Sequence, residues 1–391
     1  MNIEEIKEKI LSDIKYQFAI GFFVFLISGY VVFKYFLFPS PPKRKENCYN
    51  VTLVLWLPDF INKNSFLSLV RKFSDNYCVR FEIDFKNFDN LENDLILSLA
   101  ENNPPDIVFS DSVFVSRTKK FLLNLEKENK NYNYIFKDDN INYGFPIAID
   151  TLVLYYNRRI FDFLGIQPPK TLDELTSYLN SFKEDKFKDF YPLGFGSSRI
   201  KNKKEIILVL QSVLKKPIDQ TIDYYFGFNQ EGKIFPQSAF DDINLFANEK
   251  LGGFIGFYRD KQEFLRINPR LNYGISLNPI ETFPPSSQNF VYVYYFSIPK
   301  GKKNKVSLEF LKWLIDKKYQ EFIETFDFVP NLRNVHVNEE KKLFIDSAKY
   351  GSSYLEIISQ EDYRNFDKIL EIWEKNPNEG KKELIRSNLR L

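Results

Sequence analysis

A chain of 391 residues has room for a two-lobe body with an N-terminal segment to spare, because one domain takes roughly 100 to 200 residues. Its 54 basic and 52 acidic residues leave a net charge of +2, which gives no global field for steering a nucleic acid. A single histidine, His336, and two cysteines, Cys48 and Cys78, argue against an intrachain zinc site or a histidine-activated nucleophile, and no two carboxylates are spaced as an acid and base pair. Neither catalytic chemistry nor a cofactor or metal is therefore expected of the chain. Abundant phenylalanine and tyrosine accompany a general enrichment in Asn, Lys and Ile and say little about a ligand.

In chain order, Ile3, Ile6, Ile10, Leu11 and Ile14 recur at helical spacing among charges, so residues 1–17 are expected to form an amphipathic segment on the cytoplasmic side. It either extends the helix that follows, docks a partner or lies on the membrane surface. Residues 18–38, FAIGFFVFLISGYVVFKYFLF, are interrupted only by Lys34 and are long enough for a bilayer core of about 30 Å. The run exceeds the apolar core of a cleavable signal and ends in aromatics and Pro39, which predicts an uncleaved single transmembrane anchor in the lipid bilayer of the cell membrane. Flanking lysines balance at the two ends and leave the orientation open. Residues 39–48, with Pro39, Pro41, Pro42 and KRKEN, read as a stiff linker.

The run VTLVLWL (51–57) predicts a buried parallel strand, and SFLSLVRKFSDN carries Phe66, Leu69, Val70 and Phe73 at helical spacing. VRFEIDF (79–85) alternates as a second strand, a helix follows near 91–101, and DIVFS (106–110) makes a third strand. Consecutive βαβ units of this kind build an open α/β sheet that takes ligands beyond the carboxyl ends of its strands. Cys48 and Cys78 stand just before the first and second strands, at one sheet edge, as either a disulfide or two free thiols. A disulfide would require an oxidising compartment and place the C-terminal body outside the cytoplasm.

Farther on, GFPIAIDTLVLYYN suits a strand that crosses between sheets, ending in Tyr155, Tyr156 and Asn157. In QPPKTLDEL the prolines block helix, Thr171 offers an N-cap and Glu174 completes a capping box. The glycines of LGGFIGFYRD permit close backbone approach, at a cleft or in a tightly packed strand.

The segments PPDIVFSDS (104–112), YGFPIAIDTLVLYYNRRIF (143–161) and GIQPPKTLDELTSYL (165–179), in that order, resemble the bacterial extracellular solute-binding proteins of family 1. So do LGGFIGFYRD, YGISLNPIET, FVYVYYFSIPKGKKN, LEFLKWLIDKKYQEFIETFDFVPNLRN and ILEIWEKN, and the likeness spans most of residues 49–391. The resemblance implies a periplasmic-binding-protein-like α/β fold of type II, with two lobes joined by hinge crossovers and a solute trapped between them. The first lobe would take residues 49–147 and 278–315, and the second 148–277 and 316–391. The implied role is capture of a small polar solute, a saccharide, for the permease subunits of an ABC importer. The alternative is a membrane-anchored sensor or scaffold that keeps the fold without transport.

On the same resemblance Trp56 stands near the cleft as a stacking aromatic, or else is a core residue. Asp59 would accept hydrogen bonds from hydroxyls, although Pro58 departs from the polar residue usual there. Ser110, Asp111 and Ser112 either meet the ligand or cap the next helix. Asp150 falls where the family often places a polar ligand contact, unless it serves the hinge backbone. Tyr258, Arg259 and Tyr292 are further candidates, with interlobe packing as their alternative. Trp56, Trp313 and Trp373 are the only tryptophans, fewer than sugar-stacking clefts of this family commonly carry.

Overall fold

The computed structural model describes residues 48–387 except 88–89, 126–131, 133–142, 183–189, 230–231, 237–240, 281–288, 302, 350 and 353–359, together with Glu4, Asp13, Gln17 and Phe25. Apart from those four residues, the expected amphipathic segment and transmembrane anchor lie outside the described residues, as does most of the linker. Among the described residues no helix is long and apolar enough to cross a membrane.

By its contacts the chain divides into two units, one of residues 1–49 with 76–78 and the other of residues 50–75 with 79–391. In the first, Cys48 and Cys78 are joined by a disulfide across 30 positions of sequence, beside the stacked rings of Tyr49 and Tyr77. On the chain-entropy model such a closure is worth about 3 to 4 kcal/mol.

The second unit carries every strand found among the described residues. It begins with β1 (Val51–Pro58), α1 (Lys63–Tyr77), β2 (Val79–Lys86), α2 (Leu91–Ala100), β3 (Ile107–Asp111) and α3 (Ser112–Thr118). Then come β4 (Phe145–Thr151), β5 (Val153–Asn157), α4 (Arg158–Leu164), α5 (Leu172–Ser181), α6 (Lys203–Leu214), α7 (Ile218–Gly227) and α8 (Asp242–Ala247). The chain continues through β6 (Gly253–Gly256), α9 (Asp260–Ile267), β7 (Tyr273–Leu277), β8 (Val291–Ser297), α10 (Asn304–Trp313) and α11 (Tyr319–Thr325). It closes with β9 (Val329–Pro330), α12 (Glu339–Ala348), α13 (Gln360–Lys375) and α14 (Pro377–Arg386).

Strands β2, β1 and β3 pair in parallel at one side of a six-stranded sheet ordered β2-β1-β3-β8-β4-β9, whose remaining pairings are antiparallel. The βαβ start follows from the apolar pattern: helix α1 buries Phe66, Leu69, Val70 and Phe73. Phe73 meets Phe310 and Trp313 of α10 at 5.2 and 5.3 Å. Strand β2 is an edge, and its alternating burial leaves one face to water.

A second sheet, ordered β6-β5-β7, is antiparallel throughout. Strand β5 follows β4 after the single residue Leu152, so the chain changes sheets in one step. At the centre of the second sheet Tyr155 is fully buried against Phe254 and Phe264, with ring centroids 5.1 and 5.2 Å away. Gly253 lies across from the next residue, Tyr156, and a Cβ there would come within 2.6 Å of the Tyr155 carbonyl oxygen. This is the close approach that the glycine pair permits.

Sheet membership departs from the expected boundaries in two places. Strand β4 stays in the six-stranded sheet through Thr151, so the change falls at Leu152 rather than before Ala148. After residue 316 the chain also remains with the first sheet: β9 pairs with β4, and Phe322 of α11 packs on Phe296 of β8. Both strands adjoining Leu152 are buried almost without interruption, so hydropathy does not mark where one sheet ends.

Candidate functional site

A cleft of about 490 Å³ opens beside the crossover. One wall comes from the six-stranded sheet: Ile149 and Asp150 of β4, Tyr294 of β8, Val329 of β9, and Phe60, Asp327 and Phe328 from adjoining loops. Facing groups come from the segment after β6 and from α9, namely Tyr258, Arg259, Gln262, Glu263 and Arg266, together with Lys201 from the turn before α6. Apolar and hydrogen-bonding side chains both contribute to the lining.

Asp150 ties one wall to the other. Its carboxylate accepts the backbone N–H groups of Tyr258 at 2.6 Å and Arg259 at 3.1 Å, at the start of α9. Burial pushes its carboxyl up to about 7, against the opposing pull of the Arg259 charge and of these two amides. Arg259 lies over the rings of Phe257 and Tyr292 at 4.8 and 4.6 Å and donates from Nη1 to the Tyr294 hydroxyl at 3.4 Å.

A second cross-cleft contact runs from the Tyr258 hydroxyl to Asp327 Oδ1 at 2.7 Å. Burial alone would raise the Asp327 carboxyl, yet the Tyr258 hydroxyl and Lys341, aided by the charge of Lys261, hold it below the ordinary range. Lys201 bridges Asp260, at 3.1 Å, and Glu263. Burial pulls its ammonium down, but those two carboxylates together keep it above the usual lysine range.

Behind the Lys201 turn, Asp242 is fully buried, accepts the Lys201 N–H at 3.2 Å through Oδ1, and has no partner for Oδ2 among the described residues. Burial raises its carboxyl from 3.8 to about 7. A carboxyl raised on folding holds its proton longer in the native state, so stability falls as pH climbs from about 4 to about 7 and the full penalty remains above that range. At 1.36 kcal/mol per pH unit the upper bound is about 4 kcal/mol per group. Asp242→Asn is therefore expected to flatten the decline in urea-unfolding free energy between pH 5 and pH 8. A decline as steep as that of the parent would assign it to other groups.

Of the residues anticipated from sequence, Asp150, Tyr258 and Arg259 line the cleft. Tyr292 adjoins it under the Arg259 guanidinium and donates its hydroxyl to Glu205 at 2.9 Å. The other five lie outside the lining. Trp56 is 5% exposed within the core, with the Lys86 ammonium 4.4 Å over its ring, and it is Phe60 in the following turn that reaches the cleft. Asp59 is exposed in that turn. Asp111 caps α3 by accepting the Phe114 N–H at 2.9 Å, while Ser110 and Ser112 are buried with hydroxyls that have no partner among the described residues.

Phe60, Lys201, Gln262, Glu263, Arg266, Tyr294, Asp327 and Phe328 were not anticipated. For three of them a signal was present: Gln262, Glu263 and Arg266 follow Arg259 at helical spacings of three, four and seven. Among the described residues no group of three or more His, Cys, Asp or Glu side chains is placed to hold a metal ion.

A family model described as bacterial extracellular solute-binding protein matches residues 62–321. No curated protein sequence matches. Among solved structures, an extracellular solute-binding protein of Staphylococcus aureus in complex with maltose superposes with a TM-score of 0.66 at 14% identity, covering 86% of this chain and 96% of that one. An ABC transporter solute-binding protein of Thermotoga lettingae, bound with α-D-tagatose, gives 0.66 at 17% identity over 86% and 98%. The binding protein MsmE of Bacillus subtilis, in an open conformation, gives 0.67 at 18% identity over 86% and 96%.

Proposed function

The chain belongs to the bacterial extracellular solute-binding proteins, and from that membership we propose that it captures a saccharide in the cleft beside Leu152 and presents it to the permease subunits of an ABC importer. Its family and structural neighbours are substrate-binding proteins. The observation that carries the saccharide reading is the mixed lining: the faces of Phe60, Phe328 and Tyr294 stand beside Asp150, Gln262 and Glu263. A polyol has apolar ring faces and hydroxyl edges and needs both kinds of wall. Sugars bound in two of the similar structures support the same reading.

On this proposal the two sheets frame two lobes, hinged at Leu152 and at the return of the chain after β9. Asp150 and the pair Tyr258–Asp327 join the two walls beside the hinge, and ligand binding shifts the population towards the closed form. The apolar run at 18–38 would hold the protein to the membrane as a single-pass anchor, and the Cys48–Cys78 disulfide supports an extracytoplasmic body.

A thermal-shift screen across oligosaccharides, peptides and polyamines tests this, because a ligand that binds only the native state raises its melting temperature by mass action. The expected result is a rise with one or more saccharides and none with peptides or polyamines. No rise with any saccharide would contradict it.

A further inference from the structure

The cleft lining carries three cations, Lys201, Arg259 and Arg266, and three carboxylates, Asp150, Glu263 and Asp327, which balance in number but not in contact pairing. Arg259, the N-cap of α9, and Gln262 and Arg266 within that helix stand at positions i, i+3 and i+7, and all three are exposed in the cleft lining. Each carboxylate nearby is already engaged. Asp150 takes two backbone amides, Glu263 takes Lys201, and Asp327 takes the Tyr258 hydroxyl and Lys341. Neither guanidinium has a carboxylate oxygen within 4.0 Å among the described residues. Arg259 is held in place by two aromatic rings and by Tyr294, and that bond uses only one of its five N–H donors.

Closing a cleft over a neutral solute would strip water from two guanidinium groups that no carboxylate contacts directly, a cost of several kcal/mol for a fully buried ion. An oxyanion on the solute removes that cost, and a planar guanidinium matches a carboxylate or sulfate by paired hydrogen bonds. Seven residues of helix separate the two arginines by about 10 Å along the axis, which suits an extended ligand rather than a small ion.

Building on the saccharide reading, we propose that the solute is an acidic saccharide, a polyol carrying carboxylate or sulfate groups that Arg259 and Arg266 recognise. Calorimetric titration of the full chain with trigalacturonate, its methyl ester, a sulfated disaccharide and maltotriose tests this and separates the two sources of anion. The expected result is that trigalacturonate or the sulfated sugar binds at least tenfold more tightly than both neutral sugars. Arg259→Met and Arg266→Met should each reduce that preference, and so should added salt. Arg266 is exposed, so its substitution keeps the test valid if the Arg259 variant fails to fold.

Equal or tighter binding of the ester or maltotriose would overturn the acidic class and leave the saccharide reading standing. Binding of none of the four, together with a silent thermal-shift screen, would overturn both. An anion preference that persists undiminished in the Arg266→Met protein and in a folded Arg259→Met protein would also overturn the assignment.

Discussion

Gly253→Val is expected to destabilise the protein by about 3 kcal/mol or more, because overpacking that displaces backbone costs at the upper end of the usual range. Gly253 pairs in register with Tyr156, and any Cβ there would sit 2.6 Å from the Tyr155 carbonyl oxygen. That oxygen belongs to the central strand of the second sheet, whose ring is locked between Phe254 and Phe264, so it has little freedom to retreat. Gly227, at the end of α7, provides the control: a Cβ there meets nothing within 4 Å. Gly227→Ala should leave stability unchanged or raise it by up to about 1 kcal/mol, since alanine is the better helix former. Urea unfolding of the two variants checks this, and equal midpoints would show that the strand approach is not constrained as described.

Asp150→Leu should lower the affinity for whichever saccharide responds in the thermal-shift screen by at least 100-fold. The substitution removes a carboxylate from the cleft and strips two backbone amides, those of Tyr258 and Arg259, of their acceptor across the walls. Hydrogen bonds to a charged group are worth about 1.5 to 3 kcal/mol each, and every 1.4 kcal/mol is tenfold in affinity. Asp150→Asn keeps one acceptor oxygen and turns a donor towards the second amide, so a smaller loss of about tenfold is expected. Calorimetric titration, with circular dichroism to confirm the fold, measures both. Unchanged affinity in the leucine variant would remove Asp150 from the working cleft.

The opening βαβ units were legible because each strand and helix carries an unbroken period, as in the four apolar residues that α1 buries. The crossing from β4 to β5 was legible as a long apolar run, but not its turning point, since both strands are buried along their length. The late return to the first sheet depends on β9, two residues ending in Pro330, and a strand so short with a proline leaves no pattern to read.

The site shows the same limit. Asp150 was legible only through the resemblance, which puts a polar ligand contact there, and the fold gives its buried carboxylate two backbone amides across the cleft. Lys201 stood in a turn with Lys203 and Lys204, which pair with Asp367 on α13 instead, and only the folded chain distinguishes one lysine from its neighbours. Trp56 had the residue type for a stacking platform, yet the turn after β1 brings Phe60 to the cleft and leaves Trp56 in the core.

The closing motion itself can be measured by pulsed electron-spin distances between labels at Lys72→Cys on α1 and Asp173→Cys on α5, both exposed positions on the two sides of the crossover. Saturation with a saccharide that raises the melting temperature should replace a broad, longer distance distribution with a narrower and shorter one. An identical distribution with and without the bound sugar would contradict the hinged-cleft account.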